Sequence, residues 1–443
     1  MTAAVTEAAA ERPADGLPGL LDELRWRGLF HDATPGLAGR LATGRQMAAY
    51  NGFDPSGPSL HVGHLVPITA LVHLQRRGGK PVVLVGGGTG MIGDPSGTSA
   101  ERNLLDRATL EANLAGIRSQ LERFLAFDGP NAAVMVNNLD WLSEVSMLEF
   151  LRDVGKHFTI PYMLAKDSVT TRMDRGLSFT EFSYMLIQAT DYDHLHRTMG
   201  VDLQMGGADQ WGNITAGLEL IRRRAGLAED EVDRGADEPA HGLAYKLLLS
   251  PSGAKFGKTE GGTSVWLDAE RTSPYAFYQY WLNVDDRDAG TYLRWFTLLG
   301  REEIEALDAE TAAHPEARAA QRALARDVTE RTHGPAATAS AIQVSEVLFG
   351  RAAAVDPALY PALHEASGGA TFDPALLSAG TATLLADAGM FASKGEARRL
   401  ITSGGLTVNG TRVTEADAPI EAIDGGWIDV AVGKRKRQIL KAR

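Results

Sequence analysis

The chain has no cysteine among its 443 residues. That excludes disulfides and thiolate metal sites, and it fits a reducing compartment. Long apolar runs are missing as well, since none approaches the ~18 residues of a helical membrane span. The first residues, with Glu7, Glu11 and Arg12 among alanines, lack the basic-then-apolar order of a secretion signal. These absences predict a cytoplasmic protein. Positive charge is in deficit too: 44 Lys and Arg against 56 Asp and Glu leave a net charge of −12. That argues against a non-specific nucleic-acid binder but leaves room for a local basic surface.

What is present fits a globular chain of two to four domains, with 44% hydrophobic and 23% charged residues. Glycine is abundant, at 48 residues against a usual share of ~7%, and much of the excess sits in particular loops. The most informative stretch runs from Tyr50 to His64, Tyr-Asn-Gly-Phe-Asp-Pro-Ser-Gly-Pro-Ser-Leu-His-Val-Gly-His. It reads as a strand (Met47 to Phe53), a tight turn, and a helix opening near His61. His61 and His64 then share the first helical turn, where unpaired N–H groups and the positive dipole end favour phosphate. Gly63 between them lets a flat ligand lie against the backbone. A His-x-Gly-His arises by chance in about three chains per hundred of this composition, so its neighbours must decide the matter.

Leu17 to Phe30 has helical spacing. The helix after His61 continues to Arg76 and ends at Gly78-Gly79, and Pro81 to Val85 is an apolar run suited to a strand buried on both faces. The glycine-rich loop from Gly86 to Gly97 follows, at the sheet end where open α/β folds bind ligands. It has neither dinucleotide-fingerprint nor P-loop spacing, but Asp94 within it is suited to a cation or hydroxyl. Ala100 to Phe127 reads as a helix. Val134 to Asn137 follows as a short strand, and Val145 to Lys156 as a further helix. The helix from Phe179 carries a polar stripe of Glu181, Tyr184, Gln188 and Asp191 flanked by apolar residues. Buried, these groups need polar partners, which a ligand could supply. Val201 to Met205 is a strand leading into a second glycine turn with Gly207, Asp209 and Gln210. Arg222, Arg223 and Arg224 close the next helix.

A second signal is Lys255-Phe256-Gly257-Lys258-Thr259, two lysines in a Gly/Ser-rich loop suited to polyphosphate. Beyond Thr272 the pattern becomes helical to about residue 350, and 351–375 is a weakly patterned linker rich in Gly and Pro. In 376–443, two helices (Thr381 to Ala388, Lys394 to Ser403) precede a hairpin at Asn409-Gly410. Lys394, Arg398, Arg399, Lys434, Arg435, Lys436, Arg437, Lys441 and Arg443 make this end locally basic, the asymmetry of an RNA-contacting module.

His61-Val62-Gly63-His64 and Lys255-Phe256-Gly257-Lys258-Thr259 together resemble the HIGH and KMSKS signatures of bacterial tyrosyl-tRNA synthetases, class I enzymes. The resemblance runs from about Leu20 to the C-terminus, whose last part is similar to an S4-type RNA-binding domain. It implies an α/β chain with an N-terminal tail and helix (1–33) and a Rossmann-like parallel-sheet catalytic domain (34–271). An α-helical anticodon-side domain (272–350), a linker (351–375) and a small α+β S4-like domain (376–443) follow. It implies Mg2+-ATP and L-tyrosine as substrates, tRNA(Tyr) as acceptor, a homodimer joined through about Leu151 to Leu177, and no structural metal.

By the same resemblance His61, Ser56, Lys255, Lys258 and Thr259 hold the polyphosphate, and Arg102 contributes from the loop after Asp94. His64 and Gly63 meet the ribose and adenine, Asp209 and Gly207 the ribose hydroxyls, and Asp54 borders both ligands. Asp94, Tyr184 and Gln188 take the substrate ammonium, Gln210 its carboxylate, and Tyr50 and Asp191 the phenolic hydroxyl. Arg152, Lys166, Arg222, Arg223, Lys394, Arg398, Lys434 and Arg435 are the implied tRNA contacts. The chain departs from relatives at Thr98, where a lysine is common, and at Asn51 and Pro67 near the ATP ribose. Tryptophanyl-tRNA synthetase has similar signatures, but Tyr50 with Asp191 and the S4-like end favour tyrosine. An inactive RNA-binding paralogue is opposed by His61, His64, Asp94, Asp209, Gln210 and Lys258. Lys258→Ala is expected to lower the rate of adenylate formation by about 10²–10³, as for loss of one preorganised charge contact. An unchanged single-turnover rate would remove Lys258 from the mechanism.

Overall fold

The apolar runs of the first half assemble into one six-stranded sheet in a computed structural model. It describes residues 13–55, 57–92, 106–166, 169–170, 176, 178–227, 238–247, 256, 264–349, 355–433 and 436–443. The strands are β1 (Phe30–Ala33), β2 (Ala48–Phe53), β3 (Lys80–Val85), β4 (Val134–Asn137), β5 (Val201–Gly207) and β6 (His241–Tyr245), in the order β1-β6-β5-β2-β3-β4. All neighbours are parallel except the edge pair β1 and β6. Helix α1 (Leu20–Trp26) precedes β1, α2 (Leu65–Arg76) joins β2 to β3, and α3 (Arg107–Leu121) leads toward β4. Helices α4 (Phe179–Met199) and α5 (Trp211–Arg224) flank β5.

β3 is buried along Val82 to Val85, as its unbroken apolar run requires in a sheet covered on both faces. Tyr50, Val82, Leu84, Tyr192, Leu195, Ile214 and Leu218 form a core between the sheet and helices α4 and α5. A second cluster packs Val154, Phe158 and Met163 against Met185 and Leu186 of α4 and Ala216 and Leu220 of α5.

The helical spacing through Phe30 stops early. Helix α1 ends at Trp26, Gly28 takes φ +74°, and Phe30 starts a strand. A four-residue edge strand has little pattern of its own; its partner β6 lies some two hundred residues away, so only the tertiary fold selects it. The helix expected over Ala100 to Phe127 is described as Arg107–Leu121, capped by the Asp106 carboxylate on Thr109 N.

Five helices follow: α6 (Pro274–Leu282), α7 (Asp286–Phe296), α8 (Arg301–Ala313), α9 (Ala319–His333) and α10 (Pro335–Leu348). The 272–350 stretch, expected as one helical domain, is divided. Residues 284–332 cluster with the sheet unit, whereas 272–283 and 333–443 form the other compact unit. The physical reason is the partner each helix finds: α6 packs on α10, while α7 packs on α2 and α8.

In the second unit the 351–375 stretch, read as a linker, carries α11 (Tyr360–Ala366) and β7 (Thr371–Phe372) among its described residues. Tyr360 and Leu363 are buried with Val344 and Ile439, contacts that the Gly and Pro content conceals. Helices α12 (Thr381–Asp387) and α13 (Lys394–Thr402) precede β8 (Leu406–Val408), β9 (Thr411–Arg412), β10 (Trp427–Val432) and β11 (Lys436–Ala442). The sheet order is β7-β11-β10-β8-β9. The Asn-Gly hairpin forms with Asn409 and Gly410 both at positive φ, as a type I′ turn demands. The basic C-terminal stretch is a strand, with Ile439 and Leu440 fully buried and Arg437 paired to Asp429.

In the first unit Arg27, 3% exposed, ties α1 to the end of α7. Its Nε donates to Glu23 at 2.6 Å, and its guanidinium donates to the carbonyls of Arg294, Thr297 and Leu299 at 2.8–2.9 Å. Burial pushes the Glu23 pKa up, but Arg27, Arg77 and Arg301 outweigh it and leave that carboxyl below its usual range. Arg27→Met is expected to destabilise the protein by about 3 kcal/mol, because it strips a partner from a buried carboxylate and orphans three carbonyls. Equilibrium urea unfolding checks this, and a loss below about 1 kcal/mol would show that Arg77 and Arg301 suffice.

Candidate active site

A cavity of about 520 Å³ opens at the carboxyl ends of the parallel strands. Its walls come from Tyr50 to Asp54 at the end of β2, Gly86 and Thr89 after β3, Gln204 to Gly207 in β5 and Tyr245 to Leu247 at the end of β6. The short turn before α2 (His61, Gly63, His64), the first residues of α2 (Val66, Pro67) and the polar stripe of α4 (Tyr184, Gln188, Asp191) add to it. In-register parallel pairing levels these strand ends, so chain segments far apart in sequence meet at one edge of the sheet.

At the helix start the two imidazoles are oriented by backbone amides. His61 Nδ1 accepts from Gly63 N at 3.0 Å, and His64 Nδ1 accepts from His61 N at 3.1 Å. Each ring in this geometry carries its proton on Nε2. The ring centroids are 4.1 Å apart. Burial, reinforced by the neighbouring His61, pushes the His64 pKa down to about 3, so His64 is a neutral N–H donor near pH 7 and not a general acid. Gly63 is required for this: a Cβ there would lie 2.7 Å from His61 Cε1.

At the opposite end Asp191, 1% exposed, accepts from Asn138 Nδ2 at 2.9 Å and from Trp141 Nε1 at 2.8 Å. Burial raises its pKa to about 7, against the pull of those two donors. Tyr50 packs against Tyr192, ring centroids 5.2 Å apart. Its hydroxyl is buried without a hydrogen-bond partner among the described residues. Burial, then the charge of Asp191, holds that phenol well above its ordinary pKa. A buried orphan hydroxyl costs about 1–3 kcal/mol, so this end of the cavity is built to receive a ligand's own polar group.

Between the two ends the glycine turn after β3 is held tightly. Asn138 Oδ1 accepts from Gly88 N at 2.7 Å and its Nδ2 also donates to Thr89 Oγ1 at 3.0 Å. A Cβ on Gly86 would meet Thr89 Oγ1 at 2.4 Å and Asp54 Oδ1 at 3.1 Å. After β5, Asn213 Nδ2 donates to Gln210 Oε1 at 3.0 Å, orienting that carboxamide. Asp209 lies in the short helix beside Gly207.

The second motif reaches the same cavity through Phe256, which lines it while stacking on Phe296 (5.4 Å, 6°) and meeting Tyr292 edge-on. Ser56, Asp94, Thr98, Arg102, Lys255, Lys258, Thr259, Lys434 and Arg435 lie outside the described residues. Thus Tyr50, Asp54, His61, Gly63, His64, Tyr184, Gln188, Asp191, Gly207 and Gln210 share one cavity. Asn138, Trp141 and Tyr245 stand outside the sequence motifs, whereas Thr89 and Phe256 lie within the glycine loop and the lysine motif without a role of their own. An asparagine pair closing a short strand was the available signal for Asn138.

Among the described residues, none of the candidate nucleic-acid contacts lines this cavity. Arg152 pairs with Asp153 at 2.7 Å, Arg222 with Glu238 at 3.7 Å and Arg398 with Asp417 at 2.8 Å. Arg223 pairs with Glu219 and donates to His157 O, while Lys166 donates to Thr215 and lies over the Tyr162 ring. Lys394 is exposed at the first turn of α13.

Residues 42–350 match the family of class I tRNA synthetases for tryptophan and tyrosine, and residues 377–439 match the tyrosine–tRNA ligase SYY-like C-terminal domain. The chain is 51% identical over 434 residues to a tyrosine–tRNA ligase of Anaeromyxobacter dehalogenans, covering 96% of this chain and all of that one. It is 47% identical to a tyrosine–tRNA ligase of Streptomyces coelicolor, covering 94% and 97%. Among solved structures, a C-terminally truncated mitochondrial tyrosyl-tRNA synthetase of Coccidioides posadasii superposes with a TM-score of 0.63 at 30% identity, covering 76% of this chain and 93% of that one.

Gly63→Ala is expected to push the His61 ring off its cap and cost about 1 kcal/mol of stability, as for loss of a helix N-cap. Imidazole NMR signals should report the changed His61 environment; unaltered signals would mean the backbone absorbs the methyl group.

Proposed function

The chain belongs to the tyrosine–tRNA ligase family of class I synthetases, and we infer from that membership and from its cavity that it activates L-tyrosine with ATP and charges tRNA(Tyr). A carboxylate oxygen of tyrosine attacks the α-phosphorus of ATP and pyrophosphate leaves. A hydroxyl of the terminal ribose then attacks the tyrosyl carbonyl and AMP leaves. Neither step needs a covalent enzyme intermediate, so positioning and charge stabilisation dominate.

The observation that carries the reading is the orphan hydroxyl of Tyr50 within the field of Asp191, whose oxygens are held by Asn138 and Trp141. Tyr50 and Asp191 bracket the substrate phenol. An amino acid lacking that hydroxyl would leave buried polar groups unpaired, a discrimination for which this family is itself the standard illustration. Asp94, Tyr184 and Gln188 hold the ammonium and Gln210 the carboxylate, with Asp54 between the two ligands. His64 and Gly63 contact ribose and adenine, and Asp209 and Gly207 the ribose hydroxyls. His61, Ser56, Lys255, Lys258, Thr259 and Arg102 stabilise the departing pyrophosphate, which Mg2+ accompanies as part of the ATP substrate.

A homodimer acting in the cytoplasm completes the proposal. Met147, Leu148, Leu151, Ile160, Leu164 and Phe179 are 40–78% exposed, and apolar side chains left open in this number suit burial against a second copy. Arg152, Lys166, Arg222, Arg223, Lys394, Arg398, Lys434 and Arg435 are proposed for tRNA. The exposure of Lys394 and Arg398 supports the C-terminal part of that surface.

Tyrosine-dependent ATP–pyrophosphate exchange tests the function. Exchange with tryptophan alone, or none at saturating Mg-ATP, would defeat it. The pH dependence follows from Asp191, which must be ionised to accept the phenol proton but has a pKa of about 7 in the empty cavity. The KM for tyrosine is therefore expected to rise about tenfold between pH 8 and pH 6 as the ionised fraction falls. His64, with a pKa of about 3, contributes no change in that window. For folding stability the sign is set by the raised pKa. Between 3.8 and about 7 the folded chain keeps a proton that the unfolded chain has released, so this group's contribution declines as pH rises. A flat tyrosine KM from pH 6 to 8 would separate Asp191 from phenol recognition.

A further inference from the structure

Two buried side chains in the wall of the cavity have no role in the reading above, Asn51 and Tyr245. Asn51 sits on the central strand β2 and Tyr245 at the end of β6, with β5 between them. Both line the cavity, and they are 4% and 6% exposed. In the strand register Asn51 lies opposite Met205, and Tyr245 lies opposite Gly207, two residues further along β5. The Tyr245 phenol therefore reaches across β5, and its hydroxyl donates to Asn51 Oδ1 at 2.5 Å.

The orientation of the Asn51 amide is determined. Its Nδ2 donates to the Gly52 carbonyl at 2.9 Å. A carbonyl can only accept, so the nitrogen must face Gly52 and the oxygen must face Tyr245. Tyr245 in turn must donate. Burial, then the charge of Asp209, favours its protonated form. Asn51 Oδ1 is thus engaged by Tyr245, and the hydrogen bonds of its amide leave the second Nδ2 hydrogen without a protein acceptor among the described residues.

We propose that Tyr245 is a positioning residue for the nucleotide half of the cavity, locking the Asn51 carboxamide as a hydrogen-bond donor toward the ribose end of ATP. The inference rests on the nucleotide reading given above. Without the Tyr245 hydroxyl the amide is held by the Gly52 carbonyl alone, and its second Nδ2 hydrogen is no longer aimed from both ends.

Steady-state ATP–pyrophosphate exchange by the full-length protein tests the idea with Tyr245→Phe, Asn51→Ala and the double variant. Tyr245→Phe is expected to raise the KM for ATP about three- to tenfold, the scale of one net hydrogen bond, with the KM for tyrosine unchanged. In the Asn51→Ala background it should add nothing. An equal rise in both KM values would mean general loosening of the site and would overturn the proposal. So would an unchanged ATP KM, or the same increment without Asn51. Should Tyr245→Phe fail to fold, Asn51→Asp keeps an acceptor for Tyr245 but removes the donor. It must then raise the ATP KM alone, and no rise overturns the proposal. Wild-type protein without tyrosine-dependent exchange would defeat the functional reading instead, so the two failures are distinguishable.

Discussion

The pairing of β2 between β3 and β5 is the constraint on which the rest depends. β2 hydrogen-bonds in parallel on both sides, Tyr50 lying level with Val82 on one neighbour and Gln204 on the other. A slip of one residue would turn Tyr50 to the opposite face and bring Asn51 into its place. The burial of β2 itself opposes that slip, because Ala49, Tyr50 and Phe53 each fill a buried place while Gly52 is exposed. Once the register is set, the turns after β2, β3, β5 and β6 open at one edge of the sheet, and their polar groups converge.

Convergence of polar groups in a buried place has an energetic cost, and the structure divides it unevenly. Most of these groups are satisfied by one another: the two histidines by backbone amides, Asp191 by Asn138 and Trp141, Asn51 by Gly52 and Tyr245. The Tyr50 hydroxyl is left over. Folding alone gives no reason to keep it, since a phenylalanine would fill the same volume without an orphan polar atom. A ligand hydroxyl does give one. The histidines are likewise held as directed donors, which suits a reaction governed by charge stabilisation better than by proton transfer.

Much of this was legible in the chain itself. The β2–α2–β3 unit, the glycine turns at the strand ends and the helices from Pro274 to Leu348 all announce themselves by period or by punctuation. The two lysine- and histidine-bearing motifs are legible because their residue types are chemically unusual for the loops they occupy. Strands β1, β6, β7, β10 and β11 were not legible. They are short or uniformly apolar, or they carry charges, as in Lys436 to Lys441, and each is selected by a partner distant in sequence. The stretch 351–375 looks like a linker because its few apolar residues, Tyr360, Leu363 and Phe372, have no local repeat, yet all three are buried.

The sequence by itself pointed to the family and to tyrosine through a resemblance, carried by His61-Val62-Gly63-His64 with Lys255 to Thr259 and by Tyr50 with Asp191. Only the tertiary structure decided what holds those groups in place. Asn138 and Trp141 grip Asp191 from beyond β4, Phe256 is fixed by α7, and Tyr245 reaches Asn51 across an intervening strand. Each of these contacts joins segments tens to hundreds of residues apart. Periodicity describes only neighbours along the chain, and it carries no information about which distant strand will lie alongside.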